Sequence, residues 1–158
     1  MTYISSIQLF LEKLSILFLI RGGQPPRAPE LLSIRTSNSS ETGLRNIFIE
    51  KGLFYFVTFY YKSYTISGST KIIYQYLLKE IGEIAIYYIW LDLPFLSRIS
   101  FQIFQKPLSD YLFQNLLTKK RKITSDRLRT ILRRETLAGL GIAINPSDYR
   151  HISIGISR

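Results

Sequence analysis

Residues 46–74 read NIFIEKGLFYFVTFYYKSYTISGSTKIIY, and this stretch decides the fold class. β-Branched and aromatic side chains crowd together there. Two turn signals, Lys51-Gly52 and Ser67-Gly68-Ser69, cut the stretch into three. The cuts predict strands over Asn46–Glu50, Leu53–Tyr61 and Lys71–Tyr74, a small three-stranded antiparallel sheet. The sequence on either side reads as helix, so the class expected is α+β, mainly helical.

Working outward, Ile4, Ile7, Leu11, Leu14 and Leu17 recur at helical spacing, which predicts a core-facing helix over residues 4–20 stopped by Gly22-Gly23. The proline-rich connector 24–29 follows. A short helix is expected over Glu30–Arg35, then a polar loop over Thr36–Thr42. Beyond the sheet, Lys79–Leu91 is apolar on nearly every face (Ile81, Ile84, Ile86, Tyr87, Ile89, Trp90), as a helix buried in the middle of a bundle would be, and Pro94 is expected to end it. Segment 95–107 carries no clear signal. A helix is expected over Leu108–Leu117. Another should be capped by Ser125, with Leu128, Ile131 and Leu132 facing inward until Gly139 and Gly141 break it. Asn145-Pro146 opens a last helix, Pro146–Ser157. Neither a repeat nor a linker divides the chain, so residues 1–158 read as a single domain.

With 158 residues and 46% apolar side chains, the chain can fill one core, which argues against disorder. Cysteine is absent and there is one histidine, which excludes a disulfide framework, a thiolate zinc site, a cysteine nucleophile and a multi-histidine metal site. No cofactor and no metal are expected. The longest apolar run, Ile84–Leu96, has 13 residues and includes Asp92, whereas a spanning helix needs roughly 20. Glu12 and Lys13 interrupt the N-terminal run, and no positive charge falls in the first ten residues, so neither a signal peptide nor a membrane partner is expected; an intracellular protein follows.

The net charge of +10 is unevenly placed: residues 111–158 hold 10 basic groups against 3 acidic ones. A localised basic block favours a polyanionic partner, nucleic acid before membrane, because phosphates reward Lys and Arg by counterion release. The alternative is a solvated basic face with no partner.

Three pieces carry chemical interest. Arg27 lies in GGQPPRAPELLSIR (residues 22–35), with Glu30 three residues on; Lys62 ends a predicted strand; Arg150 precedes His151 near the start of the last helix. Two arginines and a lysine can converge on one phosphodiester, the guanidiniums holding its oxygens bidentately while the lysine donates a proton.

In these pieces and their order, the sequence resembles the catalytic domain of the tyrosine recombinases (phage-integrase family). Residues 27–35 closely fit the family's Arg-x-x-Glu-Leu-Leu-x-Leu-Arg box, Lys62 lies in the predicted sheet as its hairpin lysine does, and Arg150-His151 fit its arginine–histidine pair. Gly22-Gly23-Gln24-Pro25, Ile47-Phe48-Ile49-Glu50 and Tyr149-Arg150-His151-Ile152 are similar to recombinase-like domains of fungal genomes, in Crypton-type mobile elements and beside RecQ-like telomere-linked helicases. The resemblance runs from about residue 14 to residue 158. It implies a recombinase-like core, catalytic roles for Arg27, Lys62, Arg150 and His151, a structural Glu30, DNA as partner, a possible homo-oligomer on DNA, and a nuclear location.

Two departures limit what it implies. The family's first histidine of His-x-x-Arg falls on Ser147, and the sequence reaches Arg158 before a second His or Trp and the nucleophilic tyrosine. Without that tyrosine no phosphotyrosyl intermediate forms. The expectation is therefore a domain missing its last helix. It would bind the DNA backbone through Arg27, Lys62 and Arg150, while Lys119, Lys120, Arg121, Lys122, Arg127, Arg129, Arg133 and Arg134 track the neighbouring phosphates without reading sequence. Contact with about six phosphates would give log K against log salt a slope near −5. Isoleucine occurs 23 times and alanine 4 times, a tilt expected of a decayed mobile-element copy. The rivals are an active recombinase completed in trans, a fragment of a RecQ-like helicase, and a membrane-surface or protein-interaction module using the apolar stretches 14–20 and 84–96.

Overall fold

A computed structural model describes residues 3–40, 43–60, 71–105, 107–118 and 120–156. In chain order the elements are helices α1 (Tyr3–Arg21) and α2 (Ala28–Leu31), strands β1 (Ile47–Glu50), β2 (Leu53–Tyr60) and β3 (Lys71–Tyr76), and helix α3 (Lys79–Tyr87). A π-helical turn (Tyr88–Asp92) and helices α4 (Leu93–Phe104), α5 (Ser125–Leu140) and α6 (Pro146–Ile156) follow. The class is α+β, mainly helical, as expected.

The sheet is antiparallel in the order β1-β2-β3, with Phe48 opposite Tyr55 and Tyr55 opposite Tyr76. Lys51 and Gly52 both take positive φ (51° and 77°), the primed turn whose twist matches a two-residue hairpin. Phe54 and Phe56 point to the core, where they meet Phe18 of α1. Its ring stacks on Phe56 at 5.3 Å and meets Phe54 and Phe113 edge-on at 5.9 and 5.3 Å. The expected turn at Ser67-Gly68-Ser69 lies outside the described residues.

The helix buried on most sides is α1, not residues 79–91. Ile7, Leu11, Leu14, Ile16, Phe18 and Leu19 are buried, whereas Leu17, expected inward, is exposed. Its buried polar groups are all engaged: Gln8 Oε1 accepts from the Leu116 N–H, Ser15 Oγ donates to the Glu12 carbonyl, and Glu12 pairs with Arg127. Segment 79–104 instead runs as one helical rod packed on one side only. Ile81, Gly82, Ala85, Tyr88 and Leu96 face inward, while Ile84, Tyr87, Trp90, Leu91, Phe95, Phe101 and Ile103 are exposed. Pro94 does not end the rod. It sits in the first turn of α4, where its missing N–H is tolerated, just after a turn widened to the Leu93 N–H···Tyr88 O bond. Segment 95–107, without a sequence signal, is largely α4.

Leu108–Leu117 is not a helix. Its backbone is taken by other partners: Thr36 N–H donates to Asp110 O, Leu112 N–H to Ile34 O, and Ile123 N–H to Phe113 O, leaving adjacent Leu112 and Phe113 fully buried. The same pairing ends α2 at Leu31, short of the expected Arg35, because Arg35 forms an isolated bridge with Tyr111. Helix α5 buries Leu128, Ile131 and Leu132 as expected, but its cap is Thr124, whose Oγ1 accepts from the Arg127 N–H, rather than Ser125. Gly139 stays within the helix, and Gly141 ends it in the left-handed conformation. Helix α6 begins at Pro146 as expected.

By length and composition, two helical segments are apolar enough to cross a membrane: Tyr3–Arg21 (mean hydropathy 1.6) and Lys79–Ile103 (1.2). The first is the buried centre of this fold.

Candidate nucleic-acid interface

Arg27 precedes α2 in extended conformation, and its N–H donates to Glu30 Oε2 at 2.8 Å while its Nε lies 3.9 Å from Glu30 Oε1. Glu30 thus fixes the start of the short helix and sits beside the guanidinium. The connector leaves α1 through Gly22, where an added Cβ would lie 2.7 Å from Phe18 O and 3.2 Å from Gln75 Oε1, so only glycine lets the turn pass this close to α1 and β3. Gln75 Oε1 and Thr58 Oγ1, both on the core side of the sheet, are buried without a hydrogen-bond partner among the described residues.

Arg150 and His151 lie on α6. That helix is tied to the end of α1 by Tyr149, whose hydroxyl donates to Ile20 O at 3.0 Å. Arg150 is half-buried, and among the described residues its Nε meets no acceptor; His151 is exposed. Asn145, above all, holds the Asp148 carboxyl below the usual carboxylate range by donating its side-chain amide at 2.9 Å, with Ser147 and the nearby His151 adding to this against the opposing desolvation. The connector leading to Arg27 thus leaves the same end of α1 to which the helix bearing Arg150 is tied. Lys62 and Lys119 lie outside the described residues.

The basic run is partly spent on the fold. Arg127 grips Glu12 with Nε and a terminal nitrogen at 2.8 and 3.2 Å; Arg129 pairs with Asp126 at 3.3 Å and Arg134 with Glu135 at 2.7 Å. Arg133 donates to Asn145 Oδ1, and Lys122 Nζ stands 4.7 Å from the centre of the Tyr111 ring. Lys120 and Arg121 line a cleft of about 750 Å³ between the start of α1, α4 and residues 107–118. Among the described residues no group of three or more His, Asp or Glu could hold a metal ion.

Tyr111 was absent from the sequence-derived site, yet Arg35 and Lys122 both flank its ring. Nothing local announces this, because the contact depends on the 35–111 bridge.

Compared with protein-family models, curated proteins and solved structures, the chain matches none.

Proposed function

We propose that this chain binds the phosphate backbone of duplex DNA as a recombinase-like domain, with Arg27, Lys62 and Arg150 holding one phosphodiester. The observation carrying this reading is the docking of α6 on α1 through Tyr149 and Ile20. It sets the helix bearing Arg150, with a buried Nε that meets no acceptor among the described residues, against the turn from which the Arg27 connector departs. A phosphate oxygen is the acceptor such a donor suits. Along the basic run, the contacts to neighbouring phosphates fall first to Lys120, Lys122 and Arg133. Lys120 is exposed, and the contacts of the other two are to an uncharged ring and an uncharged amide. Ser147 stands where the resemblance places a transition-state histidine, so the proposal stops at binding.

Substitution tests it. Arg150→Ala should weaken duplex binding regardless of sequence and flatten the log K against log salt slope by about 0.9, the share of one phosphate. Unchanged binding and slope would remove Arg150 from the interface. A covalent adduct with nicked DNA would instead favour an active recombinase.

A second reading, a membrane-surface or protein-interaction module, is favoured by the rod over residues 79–104, where Trp90 is 69% exposed beside exposed Tyr87, Leu91 and Phe95. Flotation with anionic vesicles, in the absence of a DNA gel shift, would favour it.

A further inference from the structure

The outer face of the sheet carries a row of aromatic rings that the core does not use. Phe48, Tyr55 and Tyr76 are direct cross-strand neighbours on β1, β2 and β3. Phe48 and Tyr55 stack at 5.4 Å with planes 24° apart; Tyr55 and Tyr76 follow at 5.0 Å and 34°, and Tyr74 stands 6.1 Å from Tyr55. At the β1 end the Arg45 guanidinium covers Phe48, 5.8 Å from its centre. At the other end β3 is an edge strand, and among the described residues no ring or cation continues the stack past Tyr76. Tyr76 and Tyr74 are 48% and 59% exposed.

We propose that this face is a base-stacking platform for single-stranded nucleic acid, separate from the phosphate cradle and independent of it. A row of rings capped by a cation at one end and open at the other takes a further planar ring at its open end, and a nucleobase supplies one whatever its identity. The charge fits a polyanion. Arg45 caps the stack, Lys51 in the β1–β2 turn offsets Glu50, the face's one carboxylate among the described strand residues, and the whole chain carries +10. The chemistry differs from that of the rod. The sheet row puts three tyrosine hydroxyls beside its rings and suits a wet, polar ligand, whereas on the rod Tyr87 and the Trp90 indole stand among exposed Leu91 and Phe95, a more apolar face.

Fluorescence anisotropy of the full chain with a labelled 15-mer of thymidine, an abasic oligomer of the same length and a duplex tests this. Tyr76→Ala should weaken thymidine-oligomer binding about tenfold, leave abasic and duplex binding unchanged, and be rescued by Tyr76→Phe, which keeps the ring. Tyr74→Ala, at a more exposed position, should act in the same direction and serves if Tyr76→Ala does not fold. Equal affinity for thymidine and abasic oligomers, or wild-type affinity in both alanine variants, would overturn the platform. So would a self-associated chain that binds no oligomer and is made monomeric by either substitution. Loss of duplex binding alone would count against the cradle and leave the platform standing.

Discussion

Arg127 of α5 holds Glu12 of α1 by two parallel hydrogen bonds, at 2.8 and 3.2 Å, and the Glu12 side chain is only 4% exposed. A carboxylate this deep is tolerable only with its guanidinium in place. The arginine is half-exposed, so the cost of losing it falls below that of a fully buried pair. Arg127→Ala should destabilise the chain by about 2 kcal/mol and lower its melting temperature by roughly 4–8 °C. Arg127→Lys, a charge without the planar fork, should fall between the two. Calorimetric melts check this; an unchanged melt for Arg127→Ala would show the pair to be a surface contact.

Two glycines on helices should respond oppositely to alanine. At Gly82 of α3 a Cβ would sit 2.8 Å from the Cβ of Phe54, an atom fixed by its own strand, so Gly82→Ala should cost about 1–3 kcal/mol. At Gly139, within α5, nothing lies within 4 Å, so Gly139→Ala should stabilise by about 0.5–1 kcal/mol through helix propensity alone. Denaturant midpoints of the two variants on opposite sides of wild type would bear this out, and a shift in the same direction would contradict it.

Burial pushes the Tyr88 phenol up to about 12, although Gln114, donating to its oxygen at 3.0 Å, partly offsets this. Below pH 10 the phenol is protonated both folded and unfolded, and its contribution is constant. Between pH 10 and 12 the unfolded chain releases the proton first, so stability should fall by about 2–3 kcal/mol. Tyr88→Phe should flatten that fall, while losing about 1 kcal/mol at lower pH because Gln114 is left without an acceptor. Stability curves of both proteins from pH 8 to 12 check it; parallel curves would refute it.

The sheet and the two C-terminal helices were legible because their signals are local. Alternating aromatics with a Lys51-Gly52 turn, an inward Leu128-Ile131-Leu132 spacing, and a proline opening α6 each specify an element without help from elsewhere. The errors fall where distant segments decide. Leu108–Leu117 has helix-compatible composition, but pairing with residues 34–36 and 123 extends it. Apolarity all round at 79–91 signalled burial, yet α1, with its polar Gln8, Glu12 and Ser15 satisfied by remote partners, took the centre. At the site, sequence order grouped Arg27 with Arg150 only through the family resemblance, while the Tyr149–Ile20 contact ties the helix bearing Arg150 to the end of α1 from which the connector to Arg27 leaves. It could not show that Arg127 and Arg134 are spent on Glu12 and Glu135, because charge counting does not see pairing.

Salt titration of duplex DNA binding bears most directly on the proposed backbone contact. With several phosphates neutralised by the described basic side chains together with Arg27 and Arg150, log K against log salt should fall with a slope near −5 for about six contacts. Binding that is absent at low salt, or whose slope lies near zero, would contradict it.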